Sequence, residues 1–118
     1  SGANERPTPV TSAGRGTAHL LLVGDSLWLN ATYRGLSGVA TLAHLHGPAG
    51  VDASAGVLVD LAPLNGGGFG ADGTFAGRLT LTPEVLAGVV DGLTYLNVHT
   101  DANKPGEIRG QVVSAIAP

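Results

Sequence analysis

The feature that most limits the fold is a strict two-residue alternation of apolar and polar side chains in short runs. In "SLWLNATY" (26–33), Leu27, Leu29, Ala31 and Tyr33 alternate with Trp28, Asn30 and Thr32. Successive side chains of a β-strand leave opposite faces, so this pattern describes a strand buried on one side. The preceding run "TAHLLLV" (17–23) divides likewise into Ala18, Leu20 and Leu22 for a core and His19, Leu21 and Val23 for the opposite face. Gly24-Asp25 lies between the runs and suits a two-residue turn, which makes residues 17–33 a β-hairpin.

The same pattern continues along the chain. Residues 39–46, 56–61 ("GVLVDL"), 74–81 ("TFAGRLTL"), 93–100 ("LTYLNVHT") and 106–116 ("GEIRGQVVSAI") are predicted strands, and "NGGGFGADG" is a predicted flexible loop. One helix is expected near residues 83–90. Thr82 caps it, Pro83 fits its first turn, Glu84 favours its positive end, and Gly88 and Gly92 keep it short. The first sixteen residues are rich in turn formers and read as an extended surface segment. The expected fold is all-β: seven to eight antiparallel strands and one short helix, in a sandwich or small Greek-key barrel. A single domain spans residues 1–118 in this reading.

Composition then removes several functions. Six basic and nine acidic side chains give a net charge of −3, with no basic stripe for nucleic acid. No apolar run approaches the length of a membrane span. Ser1 reads as the start of a trimmed chain, so the lack of a visible leader decides nothing. Cysteine and methionine are both absent, which excludes disulfides, thiolate metal sites, a cysteine nucleophile and thioether ligands. Any transition metal here has to be held by imidazole, carboxylate or backbone oxygen. No serine–histidine–acid arrangement stands out, and the glycine tract 66–70 does not open a helix as a phosphate loop would. The glycosylation pattern "NAT" at 30–32 sits inside a strand. Trp28, on the side facing away from the core, is read as covering a surface or joining a subunit contact, although an exposed strand tryptophan more often packs under a loop.

The histidines are the chemistry that remains. In "ATLAHLHGPAG" (40–50), His44 and His46 are two residues apart, so they project from one face while Ala43 and Leu45 point into the core. In "YLNVHT" (95–100), Leu96 and Val98 point inward while Asn97 and His99 turn outward. If the two strands are neighbours, three imidazoles converge on a patch outside the core. Three neutral imidazoles without sulfur suit copper or zinc, and copper binds a given nitrogen site more tightly. A His-x-His pair in a strand also arises with no ligand at all. His19 reads as an ordinary surface residue.

"GEIRGQV" alternates as well, with Ile108 and Val112 inward and Glu107, Arg109 and Gln111 outward. Two readings stay open for Glu107 and Arg109. One is an ordinary cross-strand ion pair, or a clamp on the N-terminal segment through Glu5. The other is a second layer of polar groups that orients an imidazole or meets an anion near the metal. Asn97 and Asp101 are further candidates for fixing a histidine tautomer.

Four blocks in this order, "SGANERPTPV", "AHLHGPAG", "GVLVDL" and "YLNVHTDANKPGEIRGQV", resemble the CHRD domain, a module first described in chordin and widespread in secreted bacterial proteins. The resemblance covers nearly the whole chain, and its last block is specific. It implies an exported protein, extracellular or periplasmic; in chordin the setting is extracellular binding of growth factors. A more distant similarity is to copper-zinc superoxide dismutase, a Greek-key barrel whose copper ligands include a His-x-His strand pair and a later valine–histidine segment. His44 and His46 match the pair, and His99 matches the later ligand. The bridging histidine, the zinc cluster and the disulfide have no counterparts in this sequence. The similarity therefore implies a three-histidine copper site and leaves dismutase turnover unsupported.

Three functions are expected from these readings. The first is an exported copper-binding protein that holds one ion through His44, His46 and His99 for storage, delivery or electron transfer, with zinc as the other metal. The second is a metal-free extracellular protein-interaction module. The third is a copper-dependent enzyme of superoxide dismutase type.

Overall fold

The computed structural model describes residues 1–65 and 70–114. Within them the chain forms strands β1 (Arg15–Val23), β2 (Ser26–Arg34), β3 (Ala40–His46), β4 (Val57–Asp60), β5 (Gly73–Thr80), β6 (Thr94–Thr100) and β7 (Ile108–Val112). Helix α1 (Pro83–Val90) precedes β6, and single 3-10 turns occupy Gly2–Asn4 and Ala62–Leu64. Most of the glycine tract and residues 115–118 lie outside the described residues, so the loop expected at the tract and the end of the last predicted strand are not placed.

The strands form two antiparallel sheets, β1-β2-β5 and β4-β3-β6-β7. Edge strands β1 and β7 belong to different sheets and share no ladder, so the architecture is the sandwich form of the expected fold, with no closed barrel. β3 and β4 pair, β5 crosses to the other sheet, and β6 returns beside β3, which is a Greek-key return.

Each hairpin follows from local chemistry. Val23 pairs with Ser26, leaving Gly24-Asp25 as the two-residue turn. Gly24 has φ +60°, the positive value that such a turn needs at its first central position. At α1 the Thr82 hydroxyl accepts the Val85 N–H at 3.4 Å, and Pro83 fills the position where no amide hydrogen is required.

The inward set of every strand meets between the sheets. Leu29, Tyr33 and Phe75 from one sheet pack on Ala43, Val98 and Ile108 from the other. Leu27, Leu45 and Leu81 continue the core to Val85, so α1 closes that end of the sandwich. β1 and β2 keep the expected phase: Leu27, Leu29 and Tyr33 are buried while His19, Leu21, Val23 and Asn30 are exposed. Trp28 is 51% exposed, and the Arg78 guanidinium lies 5.8 Å from its ring.

Candidate metal centre

Strand register brings the three histidines together. Across the β4-β3-β6-β7 sheet, His44 pairs with Asn97, and Asn97 with Arg109. One row along, His46 pairs with Tyr95, and Tyr95 with Gln111. One row the other way, Leu42 pairs with His99. Because the side-chain period is two, all of these project from the sheet face opposite the core. His44, His46 and His99 each offer one nitrogen within 4.8 Å of the others.

Around the histidines that outer face is covered, which alternation alone did not indicate, while Leu42 at its margin is 45% exposed. His46 and His99 are only 8% and 6% exposed, and Asn97 and Arg109 are buried as well. Two segments form much of the cover. The 47–56 loop is fastened by Ala49 N–H to the Leu93 carbonyl at 2.8 Å, by Arg109 Nη2 to Gly50 at 2.9 Å and by Gln111 Nε2 to Ala49 at 2.8 Å. The N-terminal segment is tied down by reciprocal backbone bonds between Ser1 and Arg109, each at 3.0 Å. The Ser54 hydroxyl donates to the Arg6 carbonyl at 2.6 Å and joins the two covers.

Backbone carbonyls set the tautomers. His99 Nδ1 lies 2.7 Å from the Lys104 carbonyl and His46 Nδ1 lies 2.9 Å from that of Ala55. A carbonyl only accepts, so both rings carry their proton on Nδ1 and present Nε2 as a lone pair. His99 Nε2 meets His44 Nδ1 at 3.0 Å, so in the metal-free state His44 donates there. His46 Nε2 is buried and has no hydrogen-bond partner among the described residues. The ring nitrogens not engaged by a carbonyl thus include His44 Nδ1, His46 Nε2 and His99 Nε2. Metal–imidazole bonds of about 2.0–2.1 Å put two ligand nitrogens at most about 4 Å apart. The widest pair, at up to 4.8 Å, needs a closure of somewhat under an ångström.

Electrostatics favour the neutral form of His44 and His99. Burial lowers the His44 pKa, the nearby His46 ring adds to this, and Asp60 opposes it. Burial lowers His99 too; its bond to the Lys104 carbonyl opposes this, and the other two imidazoles reinforce the lowering. Neutral imidazole is the form that coordinates a metal.

The other polar candidates have different places. Asp101 is exposed, and the histidine-orienting role expected of it is filled by the Lys104 carbonyl. Asn97, across from His44, donates to the Pro105 carbonyl at 3.3 Å and bonds Glu5, and it makes no hydrogen bond to an imidazole among the described residues. Glu107 is fully buried at the end of the sheet, where it accepts from the hydroxyls of Ser12, Ser37 and Thr100 and from Asn103. Burial pushes its carboxyl up, but these hydrogen bonds outweigh that and pull it down to about 2. Arg109 sits with its guanidinium carbon 3.5 Å from the Tyr95 ring centroid. Tyr95, on the strand between, is also stacked on His46 at 4.9 Å with the planes 1° apart. Arg109 therefore packs behind the tyrosine, not beside the imidazoles. Tyr95 and the Ala55 carbonyl are the site members that sequence reasoning passed over. Tyr95 shares the phase of Asn97 and His99 and was legible by that signal; a carbonyl has none.

The family model of the CHRD domain matches residues 1–112. This chain belongs to the CHRD family. No curated protein and no solved structure matches it. CHRD domains are extracellular interaction modules, and no helix among the described residues is long and apolar enough to cross a membrane.

Proposed function

We propose that this CHRD domain is an exported, extracellular or periplasmic protein that binds one transition-metal ion through His44 Nδ1, His46 Nε2 and His99 Nε2. The observation that carries the proposal is His46. Its Nδ1 is held by a backbone carbonyl, its Nε2 is buried and unpartnered among the described residues, and the ring offers a nitrogen within 4.8 Å of those of two further imidazoles. A buried polar atom without a partner carries a desolvation cost of about 1–3 kcal/mol, which a metal bond would relieve. Backbone carbonyls on the far ring nitrogens are the usual support for histidine ligands.

Copper is the metal this donor set favours: three nitrogens, no sulfur, and the higher place in the divalent affinity series, with zinc next. The role that fits is storage, delivery or electron transfer. A dismutase-like reading lacks its parts, since His19 is the remaining histidine and projects from the other sheet. The metal-free interaction reading draws on the exposed Leu21, Val23 and Trp28 face and does not compete for the histidines. One experiment separates these possibilities. Protein without an added histidine tag is titrated with copper(II) and with zinc, and the copper-loaded form is assayed for superoxide removal against free copper. One equivalent of copper bound more tightly than zinc, with turnover no greater than that of free copper, is the expected result. Absence of stoichiometric binding would leave the interaction module; turnover well above free copper would make the protein an enzyme.

A further inference from the structure

A second polar feature lies beneath the N-terminal segment, on the β7 side of Tyr95. Arg109 is only 3% exposed, yet its Nη1 has no hydrogen-bond partner among the described residues. Its Nη2 reaches only neutral acceptors, the Gly50 carbonyl at 2.9 Å and Gln111 Oε1 at 3.4 Å. Among the described residues the one ion pair in contact is Arg6 with Asp52, at 3.9 Å, and Asp52 is 91% exposed. Glu5 stabilises Arg109 through space without touching it. A buried guanidinium with an unsatisfied donor and no contacting carboxylate is costly unless an anion completes it.

The space for one is present. Asn4, Arg6, Val51, Arg109 and Gln111 enclose a cavity of about 110 Å³, well above the roughly 10–15 Å³ that one water molecule needs. Two of its five walls are arginines, two are carboxamides, and one is apolar. A guanidinium presents a planar fork of donors that matches the two oxygens of a carboxylate. Val51 offers a methyl-sized apolar surface to whatever that carboxylate is attached to.

We propose that this cavity is a binding site for a small carboxylate, with Arg109 as its buried anchor and Arg6 as its outer wall. The anion charge completes Arg109, and the short apolar part of the ligand lies on Val51. The site is separate from the three histidines, because the Tyr95 ring stands between Arg109 and His46. It depends on no metal.

The test uses the metal-free protein with its arginine side-chain nitrogens observed by NMR. Acetate is the probe, sodium chloride at equal ionic strength is the control, and inorganic phosphate is the competitor class. Saturable shifts of the Arg109 signals with acetate and not with chloride are expected. The substitution Val51→Phe fills the cavity from an exposed position without removing a polar contact, and it should weaken acetate binding at least about tenfold. Arg6→Ala should act in the same direction. Neither change touches the core; Arg6→Ala also removes the bonds from its Nη1 to the Ala3 and Glu5 carbonyls, so circular dichroism checks its fold and Val51→Phe carries the test. A linear response shared by acetate and chloride, unchanged binding by Val51→Phe, or phosphate binding more tightly than acetate would each overturn the assignment.

Discussion

The two outer faces of the sandwich differ in a way that their sequences do not. Both come from strands with clean alternation, and both carry histidines and aromatic residues among their outward side chains. On the β1-β2-β5 face, Leu21, Val23 and Trp28 are all more than half exposed. On the β4-β3-β6-β7 face, Tyr95, Asn97, His99 and Arg109 are buried. The difference is made by the 47–56 loop and the N-terminal segment, which run only over the second face. An imidazole on the open face is a solvated surface group. Under the cover, backbone carbonyls set the tautomers of His46 and His99, burial lowers the His99 pKa, and His46 Nε2 is left without a partner among the described residues. Alternation assigns a face, and chain segments far away in sequence decide what environment that face provides.

The largest effect that sharpens this contrast is on metal binding. His46→Ala should weaken copper affinity by two to three orders of magnitude, about 3–4 kcal/mol. His19→Ala, on the open face, should leave it unchanged. Copper titration of both variants, with circular dichroism to confirm the fold, measures the pair. Equal affinities would dissolve the distinction between the faces.

A smaller effect concerns the clasp at the end of the cover. Glu107 gathers donors from Ser12, Ser37, Thr100 and Asn103. Its carboxyl is held near 2, below its ordinary value, so its contribution is present above about pH 4.5. The contribution is lost as pH falls from there through 2. Glu107→Gln turns two amide hydrogens toward groups that donate. About 2–3 kcal/mol should be lost at neutral pH, and the parent's decline in stability between pH 4.5 and 2 should flatten in the variant. Denaturant unfolding at a series of pH values tests both statements.

Much of this was legible in the sequence. The hairpin around Gly24-Asp25, the capped helix at Thr82-Pro83 and the shared face of His44, His46 and His99 follow from local chemistry that each segment carries by itself. The partners of the polar residues were not legible, for two physical reasons. Glu107 bonds Ser12 and Ser37, 95 and 70 residues away, and no period connects them. The histidines are oriented by carbonyls of Ala55 and Lys104, and every residue supplies a carbonyl. Sequence pointed to Asp101 and Asn97 for that role because only side chains can be read from letters. Trp28 shows the opposite case: an apolar ring on an outward position suggested a loop or a partner above it, and among the described residues it is half exposed beside Arg78.

A third, smaller prediction concerns Glu5, which lies buried within the N-terminal cover. Burial pushes its carboxyl up to about 7 against the opposing pull of Arg109 and Asn97. The unfolded chain releases this proton near pH 4.5 and the folded chain keeps it until about 7. The parent should therefore lose stability as pH rises from 4.5 to 7, and no more beyond that. Glu5→Gln removes the charge and keeps the shape. The variant should match the parent at pH 4 and exceed it by about 1–2 kcal/mol at pH 8. A variant less stable than the parent at pH 8 would mean that the ionised carboxylate holds the cover in place.

The smallest effect belongs to the open face, and its smallness is the point. Trp28 is half in solvent, and its aromatic contact is with Arg78, 5.8 Å from the ring. Such a cation–π contact at an exposed site is worth about 0.5–1 kcal/mol. Threonine, like tryptophan, favours strands, so Trp28→Thr should not disturb the ladder to β1 or β5. The net loss of stability should stay below about 1 kcal/mol, a melting shift of a few degrees at most. Copper affinity should not change, because β2 lies in the sheet that holds no ligand. Thermal melting and copper titration of the same sample give both numbers. A loss above about 2 kcal/mol would show that Trp28 is packed in solution against something the isolated chain does not supply. The open face would then be a covered face too, with its cover brought by another molecule.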